Sequence, residues 1–313
     1  YEAKPWLVWT VLGIICLMSI GKNCGTVDLA LTLNSFKESE GISDRKVSLL
    51  FAAGYFMSAF GKLFGGLGSD LLGGKFTCVV ALAVYIVATL VFSYLPTGTP
   101  IEIYALLWGF NVLANLGVLG VARVAVATNW IPHAHLGRFT SLVSMSTDLG
   151  DATCRIMLAP FLSLGWRNVF QISAFVGLVT GAPMLFIGDA PSGADDTVQD
   201  GQKVEKELAS KSKKPPKTFW EKVKPMLSGV MIYALCILSG VLYGTRTLFL
   251  NYSANFLAEV RCRHMDSDLS ACMASSETLA STALASSAFT FLGCGSPLIV
   301  GAMKDALPEK HRA

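Results

Sequence analysis

Charge is what this chain has least of. Lys, Arg, Asp and Glu make up 15% of its 313 residues and leave a formal net charge of +3 at pH 7, where a soluble domain carries about 25% charged residues. Its eight cysteines include no Cys-x-x-Cys pair and no Cys/His spacing of the kind that holds zinc. No nucleophile and base stand together, and no metal-ligand cluster is apparent. His133 and His135 fall in a turn, where such residues are solvated. These absences exclude an enzyme and call for no cofactor. No basic groove with interleaved aromatics exists either, so nucleic acid is excluded as a partner. What is present is hydrocarbon: 52% of residues are apolar and the mean hydropathy is +0.52. Together these values describe an all-α polytopic protein of the lipid bilayer.

A helix crossing the hydrocarbon needs about 20 apolar residues. Eight segments qualify: 6–33, 48–68, 76–95, 101–130, 139–164, 168–188, 227–257 and 276–303. The first six make an amino-terminal bundle over residues 1–188. Residues 189–224 turn polar and basic, through Pro191-Ser192-Gly193 and then Lys203, Lys206, Lys211, Lys213, Lys214 and Lys217, as a flexible linker does. Residues 225–313 hold the last two segments. The linker and the turns at Lys75 and Arg138 are basic, whereas the turn Thr97-Gly98-Thr99-Pro100 is not. This bias places the amino terminus and the linker in the cytosol. Six cysteines lie inside apolar segments (Cys16, Cys24, Cys78, Cys154, Cys236, Cys294) and are expected to be buried, inert thiols. Cys262 and Cys272 share a polar loop on the opposite side, where a disulfide can form.

Two stretches repeat one pattern. Gly66-Leu67-Gly68-Ser69-Asp70 runs on to Gly73-Gly74-Lys75, and Gly301-Ala302-Met303-Lys304-Asp305 runs on to Glu309-Lys310. Each places a glycine four residues before an aspartate at the end of an apolar helix, with a basic turn after it. Small residues let two helix ends approach, and the carboxylate can meet neighbouring helix termini and bases. The pair resembles the loop signature of the major facilitator superfamily, which follows the second and eighth membrane helices. The resemblance implies twelve helices in two related halves, of which this chain carries eight, as a fragment ending after helix 8. It also implies that Gly66, Asp70, Gly301 and Asp305 act at a cytosolic gate.

Ionisable residues at bilayer depth cost roughly 2.5–3.5 kcal/mol each on insertion scales and face a bundle interior or a wet cavity. Here they are Lys22, Lys62, Arg123, Asp148, Asp151, Arg155 and Arg246. Lys62 and Arg123 lie within about two turns of the cytosolic end and can snorkel to the headgroups. Lys22 and Arg246 lie deeper. The spacing of Asp148, Asp151 and Arg155 puts them along one helix face, with Asp151 and Arg155 one turn apart. They form either a structural ion pair or, through their surplus carboxylate, a proton-coupling site.

A narrower resemblance rests on Tyr243-Gly244-Thr245-Arg246 and on Asn251-Tyr252-Ser253-Ala254-Asn255-Phe256-Leu257. These residues resemble helix 7 of the organophosphate:phosphate antiporters, the glycerol-3-phosphate and glucose-6-phosphate transporter family, whose arginine there takes the substrate phosphate. Gly21-Lys22-Asn23, the stretch Ser58 to Lys62, Trp108-Gly109-Phe110-Asn111 and the turn Gly165-Trp166-Arg167-Asn168-Val169-Phe170 resemble further segments of that family. Gly21 departs from it by standing where the family has a second arginine, and Thr147 stands where bacterial members carry a histidine. The resemblance implies a secondary transporter of a small organic anion, a sugar or glycerol phosphate, working by alternating access. Arg246, Lys22 and Lys62 would bind the solute, with phosphate or a proton as the coupled species. The alternatives are a proton-coupled carrier of a carboxylate or neutral solute, and a non-transporting sensor.

Overall fold

The computed structural model describes residues 5–131 and 136–189, with isolated positions between 245 and 287, and all regular structure among the described residues is helical. Arg246, Gly301, Asp305, the linker beyond Asp189 and most of the last two apolar segments lie outside the described residues.

Six rods follow one another. The first is α1 (Pro5–Lys22) with α2 (Cys24–Glu40), joined at Asn23. Then come α3 (Asp44–Leu72) and α4 (Gly74–Tyr94). The fourth rod is α5 (Ile101–Val112), which passes through a π-helical turn (Leu113–Val118) into α6 (Leu119–Trp130). The fifth is α7 (Leu136–Leu158) with a 3-10 turn (Ala159–Leu164), and the sixth is α8 (Trp166–Gly181) with another (Ala182–Phe186). Five of these rods are long and apolar enough to cross a membrane; the fifth rod carries Arg138, Asp148, Asp151 and Arg155 instead. The first rod runs to Glu40, past the expected end at 33. Lys37, Glu38 and Glu40 carry the helix on into a polar region, and Gly41, at φ +63°, closes it by donating its N–H to the Lys37 carbonyl.

Lipid requires every backbone polar group to be satisfied within the protein, and small residues bring the rods close enough to pack. A Cβ at Gly61 would fall 2.8 Å from the Gly117 Cα, so α3 meets the π turn backbone to backbone. Phe56, Leu63, Phe64, Leu71, Val87, Phe175 and Phe186 are exposed on the outside of α3, α4 and the sixth rod. In water such a surface would be untenable; in a bilayer it is the solvent contact.

At the end of the bundle where α2 finishes and α8 starts, an aromatic core gathers Phe36, Phe92, Tyr104, Trp108, Trp166 and Phe170. Above it sits a polar clasp. The Arg167 guanidinium pairs with Glu40 at 2.9 Å and donates to the Ser93 and Leu95 carbonyls. The second Glu40 oxygen accepts the Gly98 N–H at 3.2 Å, and Trp166 Nε1 donates to Ser39 Oγ at 2.7 Å. Arg167 also lies 4.6 Å from the Trp166 ring centre. Gly165, at φ +87°, makes the tight entry that places Trp166 and Arg167 there.

Among the described residues two disulfides are present. Cys262 bonds Cys272, with a Cα separation of 5.8 Å. Cys24 bonds Cys154, with a Cα separation of 5.2 Å. The second corrects the expectation of inert thiols at these positions: α2 and α7 bring together two cysteines that lie 130 residues apart, a proximity that linear spacing does not carry.

Candidate functional site

The site is built on the joint in the first rod. Where α1 ends, the carbonyl of Lys22 accepts a hydrogen bond from Asn115 Nδ2 at 2.7 Å. Asn115 belongs to the π turn of the fourth rod, where the ladder is widened. Asn23 Nδ2 donates to the Thr147 carbonyl on α7. Two side-chain amides thus satisfy backbone groups at the joint, and all three rods meet there.

Around the joint lie the charges. Lys22 is 2% exposed, and its Nζ donates to Asn23 Oδ1 at 3.3 Å. It lies within electrostatic reach of Arg123 and Asp151. Arg123 is 8% exposed, donates to Ser19 Oγ at 2.6 Å and interacts with Asp148. Arg155 is 1% exposed and pairs through Nε with Asp151 at 3.1 Å. Arg123 therefore does not snorkel: its guanidinium turns inward to a helix-1 hydroxyl. This also changes the local charge count. Taken alone, the Asp148–Asp151–Arg155 face of α7 has a surplus carboxylate, but Lys22 and Arg123 stand beside it, so among the described residues three basic side chains stand with two carboxylates. The formal surplus is positive, and such a cluster at bilayer depth is complementary to an anion.

Of the other expected site residues, the described ones, Lys62, Gly66 and Asp70, lie apart from this cluster. Lys62 occupies an exposed face of α3. Asp70 is exposed, and a Cβ at Gly66 would meet nothing within 4 Å. The close approaches of this helix end are made by its neighbours: a Cβ at Gly65 would lie 2.9 Å from the Val118 Cα, and one at Gly68 would lie 3.1 Å from Thr77. The carboxylate at the α4 N-terminus belongs to Asp189, which accepts the Lys75 N–H at 2.7 Å. Gly73, at φ +89°, makes the turn that leads into it.

Gly21 is closely packed against α8. It is buried, and a Cβ there would fall 2.6 Å from the Thr180 Cβ on α8. Thr180 occupies the space a second arginine would need. Asn111, in the Trp-Gly-x-Asn segment, donates to Thr89 Oγ1 on α4 at 2.8 Å and ties two rods together.

Sequence reasoning missed Asp28. This carboxyl on α2 is fully buried, and the rule that singled out Lys22, an ionisable side chain inside an apolar segment, would have found it.

A sequence model described as Major Facilitator Superfamily matches residues 10–313. A protein described as a probable sulfoacetate transporter of Cupriavidus necator is 25% identical over 171 residues, which cover 54% of this chain and 38% of that protein. The match thus spans well under half the length of that curated relative. Among solved structures, the proton:xylose symporter XylE bound to 6-bromo-6-deoxy-D-glucose superposes with a TM-score of 0.58 at 10% identity, covering 96% of this chain and 86% of that one. The inward open conformation of the E. coli xylose transporter XylE gives a TM-score of 0.54 at 12% identity, covering 95% and 93%. Identities this low establish the fold alone.

Proposed function

Since this chain belongs to the Major Facilitator Superfamily and forms a multi-pass integral membrane protein, we propose that it is a secondary active transporter of a small organic anion, working by alternating access. The observation that supports this reading is the excess, among the described residues, of the buried basic side chains Lys22, Arg123 and Arg155 over the partly buried Asp148 and Asp151. Lys22 binds the anion, and the helix-7 resemblance gives the same role to Arg246, which lies outside the described residues, and to Lys62. Asp148 and Asp151 hold the cations in place when no anion is bound, and the anion competes with them for those cations. Gly66, Asp70, Gly301 and Asp305 set the balance of inward and outward states, with the amino terminus and linker in the cytosol.

The solute class favoured by the helix-7 resemblance is a sugar or glycerol phosphate, exchanged for phosphate or carried with a proton. A second reading, a compact sulfonate or carboxylate, draws support from the filled space at Gly21 and from the relative named for sulfoacetate. A bidentate guanidinium fits phosphate better than an ammonium does, and here only Arg246 offers one from the family's two positions. Uptake by vesicles holding the full-length protein tests both. Saturable uptake of glycerol 3-phosphate, glucose 6-phosphate or sulfoacetate is expected. Uptake of neutral sugars alone, or of nothing on the panel, would overturn the anion reading.

A further inference from the structure

The amide that braces the joint of the first rod has a second end. Asn115 is 0% exposed, and its Nδ2 gives a hydrogen to the Lys22 carbonyl at 2.7 Å. A carbonyl only accepts, so this bond fixes which end of the amide is nitrogen. The other end, Oδ1, is an acceptor, and it is buried with no hydrogen-bond partner among the described residues.

This oxygen is held in place from several sides. Asn115 sits in the π turn, where the Leu119 N–H reaches back five residues to the Ala114 carbonyl. Two residues on, a Cβ at Gly117 would fall 2.5 Å from the Gly61 Cα, so the turn is pinned against α3 as well as against the first rod. Rotating the amide by half a turn would set Oδ1 against the Lys22 carbonyl oxygen, two acceptors in contact. Position and polarity of the idle acceptor are thus set before any ligand arrives.

Its surroundings are basic. Ser19 and Lys22 stand three residues apart on one face of α1. The fourth rod meets that face twice, through Asn115 at Lys22 and through Arg123 at Ser19. Lys22 gives a hydrogen to Asn23, and Arg123 gives its hydrogens to Ser19 and the Gly120 carbonyl; neither donates to Oδ1. A buried acceptor left without a donor is costly, and a group carried in by a ligand can complete it. The basic side chains around it oppose a ligand ammonium as that donor. They favour a neutral O–H carried by an anion.

We propose that Asn115 is a specificity-determining residue of the anion site, its Oδ1 accepting a hydrogen bond from a hydroxyl of the solute while Lys22 takes the charged end. This rests on the anion reading above and narrows it. A hydroxylated anion completes the site, whereas sulfoacetate, which has no hydroxyl, leaves the acceptor idle.

Titration calorimetry on the full-length protein with two matched pairs tests the role: glycerol 3-phosphate against propyl phosphate, and 2-hydroxyethanesulfonate against ethanesulfonate. Within whichever pair binds, the wild type is expected to hold the hydroxylated member about tenfold or more tightly, because the site's acceptor is left unpaired by the other. In Asn115→Leu the ratio should fall to within about twofold of unity, since the acceptor is gone. A residue that only braces Lys22 weakens both members alike, so a ratio unchanged in the variant overturns the proposal, as does a wild-type ratio near one. Where thermal denaturation shows that Asn115→Leu does not fold, Asn115→Ala replaces it, and a ratio that fails to shrink at least about threefold overturns the proposal equally. Binding of sulfoacetate with neither pair bound also overturns it and leaves the anion reading standing. If the wild type binds neither pair, nor sulfoacetate, nor inorganic phosphate, the anion reading itself fails and the inference falls with it.

Discussion

The bundle holds two buried sets of charges, and they are built differently. In the clasp, Arg167 and Glu40 use both ends of their fork and carboxylate: Glu40 bonds a guanidinium and a backbone N–H, and Arg167 bonds a carboxylate and two carbonyls over an indole face. Opposite charges match one to one. At the joint of the first rod the described charges do not match, since among the described residues Lys22, Arg123 and Arg155 outnumber Asp148 and Asp151. A fully satisfied polar network rigidifies, whereas an unbalanced one in low dielectric stays costly until a ligand completes it. On the proposed function, the first set serves structure and the second binding.

Breaking the clasp should therefore cost stability and leave affinity alone. Arg167→Ala strands the Glu40 carboxylate, whose side chain is 1% exposed. Removing one partner of a buried pair costs about 3–5 kcal/mol, at the lower end here because Arg167 is 31% exposed. Thermal denaturation in detergent should show a large drop in midpoint. An unchanged midpoint would make the clasp ornamental.

Gly21→Arg sharpens the comparison from the other side. The new side chain collides with Thr180, and overpacking of this kind costs typically about 1–3 kcal/mol. Thr180→Gly in the same protein should recover most of that loss. If Gly21→Arg alone is as stable as the wild type, the steric account of the missing arginine is wrong.

In the carboxyl-terminal half, Arg246→Lys keeps the charge but loses the planar fork. Anion affinity should fall about tenfold or more, corresponding to roughly 1.4 kcal/mol. Equal affinity for glycerol 3-phosphate in both proteins would make Arg246 structural. The smallest effect on stability is expected at Asp70, an exposed side chain. Asp70→Asn should stay within about 0.5 kcal/mol of the wild type while shifting the inward–outward balance, as read by cysteine accessibility on the two sides. Lost anion binding with an unshifted balance would remove Asp70 from the gate.

Length and hydropathy were enough to place five of the six described rods, because lipid demands a long apolar helix for each crossing; the fifth rod, with its four charges, is less apolar. They could not place the polar contacts. Arg123 lies near a helix end, and depth alone permits snorkelling; only the neighbouring rod reveals Ser19 as its partner. Gly21 was legible as a departure, but its packing partner, Thr180, comes from a helix more than a hundred residues away. The Cys24–Cys154 bond depends on the same kind of distant contact. Asp28 differs from these, because its signal was local: a single carboxylate between Val27 and Leu29 inside an apolar helix. Near the signature turn, Gly65 and Gly68 make close helix approaches and Gly66 faces open space.

The claim that most of this account depends on is that the unbalanced cluster is the anion site. Titration calorimetry of the full-length protein with glycerol 3-phosphate and with sulfoacetate, on wild type and on Lys22→Met, tests it directly, with thermal midpoints measured on the same samples. The account predicts affinity weakened at least tenfold, about 1.4 kcal/mol, for whichever anion the wild type binds. The midpoint should not fall, because a buried surplus charge has been removed. Unchanged affinity together with a lowered midpoint would show that Lys22 belongs to a structural network like the clasp, and would contradict the account.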